Sequence, residues 1–303
     1  MQKVIIFLSL LVSYTSVFAQ DSRNLIRAED SLKVMFNSMV LETSFSRRDS
    51  LNSIFYDMFR RILEVQTSFT YPFDSIRIGK LKSPDGKFRI FTWNTPQPGG
   101  YQKYFGLLQV KKADGNMALI ELVDGRKSIT DAKNEKLSAE RWMAALYYQL
   151  VQFPTPNGNA YVLLGYDFNN LFTSKKIIDV LTFDNQGTPT FGSPVFKVDA
   201  KYRLSRIVFE FNARVNMVLR YNDDSKTIVF DHLSPSSIEF AGDFLYYGPD
   251  GSFDGFKLEG SEWVYVRDLD LRNPRRSKPK PINAPVDTKE PGFLYKPNAS
   301  LKK

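Results

Sequence analysis

WMAALYYQLVQFPTPNGNAYVLLGY, residues 142 to 166, is the stretch whose reading decides the fold class of this chain. Its first half, Trp142 to Phe153, is apolar nearly all round, and Ser138 stands where a helix cap would stand. A helix of that composition has no polar face to turn toward water. Asn157-Gly158 then supplies a tight turn, because this pair tolerates the positive φ angles that hairpins demand. Tyr161 to Tyr166 follows with the same aromatic and β-branched bias, which suits a pleated surface. The two halves read as one long central hairpin.

Working outward from it, turn signals recur through residues 69–271. They include Pro84-Asp85-Gly86, Asp114-Gly115, Asp124-Gly125, Asn185-Gln186-Gly187, Asn222-Asp223-Asp224 and Pro249-Asp250-Gly251. Between them Ile207, Phe209 and Phe211 alternate with Glu210 and Asn212, and Val215, Met217, Leu219 and Tyr221 alternate with Asn216 and Arg220. Alternation at period two buries one face of a sheet. Short connections make sequential strands antiparallel neighbours. The expectation is a mainly β domain over 69–271, an antiparallel meander forming a sandwich or open barrel. The segment SPDGKFRIFTW, 83 to 93, resembles the turn–strand unit of β-propeller repeats, which makes a small propeller the alternative. A propeller repeats such a unit at a fixed period, and the turn spacing here is irregular.

Ahead of this domain, residues 21–68 carry helical periodicity. Leu25, Ala28, Leu32, Met35, Phe36 and Met39 make one stripe, and Leu51, Ile54, Phe55, Met58, Phe59, Ile62 and Leu63 make another. Steps of three and four residues place each set on one helix face. Ser46 and Asp49 have the spacing of a capping box. Polar residues 42 to 46 turn the chain, so a helical hairpin is expected to lay its stripes on the sheet that follows.

The first twenty residues, MQKVIIFLSLLVSYTSVFAQ, have a basic start, a short apolar run and a small-residue end at Ala19. This is the layout of a secretory signal peptide, and the run is shorter than the roughly 20 apolar residues that span a bilayer. Export to the periplasm or beyond follows as an expectation, with no transmembrane span in the mature chain. The 303 residues contain no cysteine. A disulfide framework is excluded, as is a lipid carried on a cysteine at the cleavage site. Stability must come from the core.

The net charge of +8 is unevenly spread. Residues 271–303 hold nine Lys/Arg against Asp287 and Glu290, Lys3 adds one, and the region between balances 31 basic against 31 acidic residues. The basicity therefore belongs to a tail, 272–303, which also carries six of the 16 prolines. Proline and like charge keep such a segment extended. Without a basic stripe on a folded surface, nucleic acid is not the expected partner. Arg272, Arg275, Arg276, Lys278 and Lys280 are the candidate contacts to an anionic surface polymer.

Chemistry-bearing residues are sparse. One histidine, His232, and no cysteine leave zinc and soft metals without ligands. Asp231 is adjacent in a strand and points to the opposite face, so a triad around His232 needs an acid from elsewhere in the fold. Neither a nucleophile elbow nor a phosphate loop is present. Glu121, Asp167, Glu210 and Glu239 could form the paired carboxylates of a glycan hydrolase, and Trp93, Trp142 and Trp263 could stack on sugar. In GPDGSFDGFKLEGSEW, 248 to 263, Asp250, Ser252, Asp254 and Gly255 fit the opening of a calcium loop. Its twelfth position is Ser261, and Glu262 comes one residue late. Two tight turns explain the same letters. A calcium site of Asp250, Ser252, Asp254 and Glu262 is the rival reading, and Ca2+ is the one cofactor the sequence raises. GYDFNN, 165 to 170, repeats that chemistry more weakly through Asp167, Asn169 and Asn170.

These readings converge on an exported bacterial envelope protein, a non-catalytic binding or structural module for a glycan, a surface polymer or an envelope protein. A carboxylate-dependent glycan hydrolase is the alternative. An outer-membrane barrel fits less well, because the strands show no continuous lipid-facing apolar band.

Overall fold

The computed structural model describes residues 23–112 and 114–270. Helix α1 covers 23–41 and α2 covers Phe45–Leu63. Residues 42–44 turn the chain between them. Ser44 is the N-cap of α2, its hydroxyl accepting the Arg47 N–H at 3.5 Å. The capping box expected at Ser46 and Asp49 lies instead inside the first turn, where the Asp49 carboxylate accepts the Gln97 side-chain amide. The sequence pattern found the helix and missed its start by two residues.

Strands β1 (Gly79–Lys82), β2 (Phe88–Pro96), β3 (Gln102–Lys111) and β4 (Met117–Leu122) form a first sheet in that order. Next come β5 (Leu146–Thr155), β6 (Gly158–Asp167), β7 (Thr173–Phe183) and β8 (Pro189–Phe191). They are followed by β9 (Phe196–Lys197), β10 (Arg203–Leu204), β11 (Ile207–Asn212) and β12 (Leu219–Asn222). The last three are β13 (Thr227–Pro235), β14 (Tyr247–Glu259) and β15 (Glu262–Val266). A middle sheet has the order β11-β7-β6-β5, with β8 paired to β7, and an outer sheet has the order β10-β9-β15-β14-β13-β12. Strand β15 pairs with β9 in parallel, a departure from the expected meander. The remaining pairings are antiparallel.

Alternation along the strands stacks these elements into layers. In β2, Phe91 and Trp93 face the helices and join Phe55, Phe59 and Leu63 of α2 and Leu32 of α1. Phe88 and Ile90, of opposite parity, join Tyr161 and Leu163 of β6 and Ile177 and Leu181 of β7. The other faces of β6 and β7, Val162, Leu164, Ile178 and Val180, pack on Phe230, Phe256 and Trp263 of the outer sheet. The middle sheet is covered on both sides. That is why residues 146–166 read as apolar all round: a strand buried on two faces loses its polar alternation. Strand β5 confirms the choice of strand over helix, and Ser138 precedes only a short 3-10 turn, Ala139–Arg141.

The fold is mainly β with an N-terminal helical hairpin, and its sheets stack face to face as a sandwich instead of radiating as propeller blades. One strand assignment shifts: Val215 and Met217 belong to the loop before β12. Phe244–Tyr246 forms a 3-10 turn that precedes β14. All three tryptophans are core, 2%, 0% and 0% exposed for Trp93, Trp142 and Trp263. A compact unit runs to Leu269.

Candidate functional site

The acidic stretch at 248–263 does not form turns at both places expected. Pro249-Asp250-Gly251 lies within β14, as a bulge opposite β13. Asp231 pairs with Phe253 and Leu233 with Pro249, so three residues, Asp250 to Ser252, face the single His232. Bulges of this kind re-aim side chains. The register also places Asp254 opposite Phe230, on the inward face that His232 shares. His232 Nδ1 lies 2.7 Å from Asp254 Oδ2, and the Tyr265 hydroxyl donates to the same oxygen at 2.7 Å. The Asp268 N–H donates to Oδ1 at 3.0 Å. Burial would raise the Asp254 pKa, but the hydrogen bonds from His232, Tyr265 and Asp268 outweigh it and hold the carboxyl below its ordinary value. Burial, together with the bond to Asp254 and its charge, pushes the Tyr265 hydroxyl up to about 12.

The four candidate calcium ligands are thus divided among three arrangements. Asp254 holds His232 and Tyr265. Asp250 accepts both the N–H and the hydroxyl of Ser252, at 2.9 and 2.7 Å, and those bonds depress its pKa. Glu262 pairs with Arg203 at 2.5 Å. Among the described residues no three His, Asp or Glu side chains converge as a metal site. The acid that His232 needed was Asp254, 22 residues away in sequence and one strand away in space. Only the strand register reveals that.

Of the four candidate carboxylates, two come together. Asp167 on β6 and Glu210 on β11 flank Lys175 of β7 in one cross-strand row. Asn169 links them, its N–H donating to Asp167 at 2.8 Å and its side-chain amide to Glu210 at 3.2 Å. Both acids are already partnered. Asp167 accepts Arg126 at 2.7 Å, and Arg126 also grips Asp124 at 2.8 Å and stacks 4.4 Å over the Tyr104 ring. Glu210 accepts the Thr173 hydroxyl at 2.6 Å and lies 3.4 Å from Lys175. Glu121 lies near Arg60 on the first sheet, and Glu239 is exposed. Asn170 caps its own loop through Phe172 and Thr173 N–H groups.

Sequence reasoning missed a deeper pair. Asp179 and Arg206, both fully buried, meet at 2.9 Å inside the core between the first and middle sheets. Arg206 donates to the Ala132 carbonyl at 2.6 Å, Asp179 accepts the Val180 N–H, and the Tyr147 hydroxyl stands between Asp179 and Trp142. The signal was present: Asp179 is the lone charge in the run IIDVL, and a buried charge requires a partner.

One end of the layered stack carries most of the exposed apolar surface. Twenty large apolar side chains are exposed among the described residues, and twelve of them fall at 40–45, 101, 168–172, 215–218 and 238–246. These segments are the α1–α2 turn and the loops that follow β2, β6, β11 and β13. They touch one another. Arg48 donates to Pro96 O, Leu171 packs on Gly100, Ala213 N donates to Phe172 O, Asn212 donates to Leu245 O, and Val215 packs on Gly248. Leu171, Phe172 and Ile238 are 65%, 64% and 84% exposed. The Arg126–Asp167 and Lys175–Glu210 pairs lie just beneath.

Arg272, Arg275, Arg276, Lys278 and Lys280 lie outside the described residues, as does the expected signal peptide. No described helix is long and apolar enough to cross a membrane. The chain matches no family model, no curated protein and no solved structure.

Proposed function

We propose that this chain is an exported, non-catalytic binding module of the bacterial envelope, and that the loop end of its sandwich docks a partner protein. The observation that carries this reading is the gathering of twelve exposed apolar side chains on loops that contact one another. Apolar side chains concentrated above satisfied ion pairs have the anatomy of a protein interface, with an apolar centre and a polar rim. Three features favour a protein over other partners. The rim mixes signs, with Glu42, Asp124, Glu210 and Asp243 among its cations, which would oppose an anionic membrane. The tryptophans that would stack on sugar are buried. The carboxylates nearest this end are engaged by Arg126 and Lys175.

The test is a photoreactive amino acid placed at Phe172 in the full chain, expressed in its bacterial envelope, with Ile26 as the exposed apolar control position. The expected result is a discrete protein adduct at position 172 that is missing at position 26. Identical adducts from both positions, or adducts to lipid alone, would overturn the reading.

A further inference from the structure

A second open feature lies at the opposite end of the same strands. Gln149 to Pro154 of β5 line a cleft of about 430 Å3, together with Pro84, Asn159, Tyr221, Asp223 and Lys226. Strand β5 is the last strand of the middle sheet, so the floor of this cleft is an unpaired strand edge. Its walls come from the edges of the two neighbouring sheets, the turn after β1 on one side and β12 with its following turn on the other.

The hydrogen-bond phase of β5 can be read from its proline. Residues 155 and 158 face each other across the hairpin, and 154 faces 159. Antiparallel partners alternate between bonded and non-bonded pairs. Pro154 has no N–H, so its pair must be the non-bonded one and its backbone must point to the open edge. The same parity turns the N–H and C=O groups of Leu150 and Gln152 outward. None of them bonds another described residue. Residues 151 and 153, of opposite parity, send Val151 and Phe153 into the core against the outer sheet and their amides to β6.

We propose that this edge is a second binding site, which takes an extended polypeptide segment as an added strand of the middle sheet. A row of unpaired backbone groups at an edge is a template for strand pairing, and main-chain bonds supply affinity in this mode of recognition. The incoming strand would bond the N–H groups of Leu150 and Gln152 and the C=O groups of Leu150, Gln152 and Pro154. Its alternate side chains would face Pro84 on one wall and Tyr221 and Lys226 on the other. The missing donor at Pro154 ends the pairing at the hairpin. This surface is separate from the loop end, so either can fail without the other.

The experiment is selection of random dodecapeptides on the full mature chain, followed by synthesis of each enriched peptide with single N-methyl groups at successive amides. An added strand loses binding on N-methylation at every second amide only. It also weakens by about tenfold on Gln152→Pro, which removes one outward donor. Gln152→Pro leaves the ladder to β6 intact, and its thermal unfolding is measured alongside; where that variant unfolds, the N-methyl pattern alone decides. Peptides that tolerate N-methylation at every position, that lose binding at consecutive positions, or that bind Gln152→Pro as they bind wild type overturn the proposal. So does a selection that enriches nothing.

Discussion

Asp179 and Arg206 show what single residues do in this molecule. Both are fully buried at 2.9 Å separation, with Arg206 also bound to the Ala132 carbonyl. Such a pair is costly to desolvate and costly to break, because removing one partner strands the other charge. Asp179→Asn or Arg206→Met is expected to lower stability by about 3–5 kcal/mol in chemical denaturation. The double variant Asp179→Leu with Arg206→Met is expected to recover most of that loss. Equal losses in single and double variants would show that the ion pair itself, and not the stranded charge, carries the stability. The same scale holds a pH test at Tyr265. Its hydroxyl, pushed up to about 12 by burial and by Asp254, stabilises the fold fully below the ordinary tyrosine pKa of about 10. That contribution is lost as pH rises from about 10 to about 12. Asp254, held low, behaves in mirror fashion: its contribution is present above about pH 4 and disappears as pH falls through its folded pKa. The melting-temperature gap between wild type and Tyr265→Phe is therefore expected to be constant at pH 6–9 and to shrink above 10. A gap that persists unchanged at pH 11.5 would contradict the assignment.

At the scale of elements, β1 crosses β5 so closely that a side chain on Gly79 would have no room. A Cβ there would lie 2.6 Å from the Thr92 hydroxyl and 3.0 Å from the Tyr147 carbonyl. Thr92 already spans the two sheets by accepting the Tyr147 N–H. Gly79→Ala is expected to destabilise by about 1–3 kcal/mol, as overpacking does, while Gly86→Ala in the open turn beside it relieves no packing and costs only its φ of 70°. A Gly79→Ala protein as stable as wild type would show that the two sheets are not joined at this point. Elements were also what the sequence displayed best. Phe209 and Phe211 alternated as β11 requires, and Phe55, Phe59 and Leu63 marked the buried face of α2. Val215 and Met217 kept the alternation of a strand without being one, because they lie in the loop before β12, where Met217 is buried and Val215 exposed. The candidate site was less legible. Asp254 and His232 were each visible as residues of interest, but their meeting depends on the register of β13 against β14 and on the bulge at Asp250 to Ser252. Neither is written in any one segment. Periodicity reports which face a residue takes, and it does not report which residue of a distant strand will face it.

On the scale of the whole molecule, the stacking of helices and three sheets buries all three tryptophans and leaves the buried Asp179 and Arg206 paired with each other. What is left over is asymmetric. The loop end carries exposed apolar side chains, and the far end exposes the edge of β5. The shared logic is that a middle sheet covered on both faces can be reached only at its ends and at its edge strands. Surface substitutions away from packed features change stability by only about 0.5 kcal/mol, so Phe172, 64% exposed, can be altered without harming the fold. The most direct measurement is the affinity of the full chain for the purified protein cross-linked through position 172, comparing Phe172→Asp with Ile26→Asp. The account predicts about a hundredfold loss for Phe172→Asp, as for a buried aromatic anchor, wild-type affinity for Ile26→Asp, and unchanged thermal unfolding for both. Equal affinity of the two variants, with both folded, would contradict a partner-binding loop end.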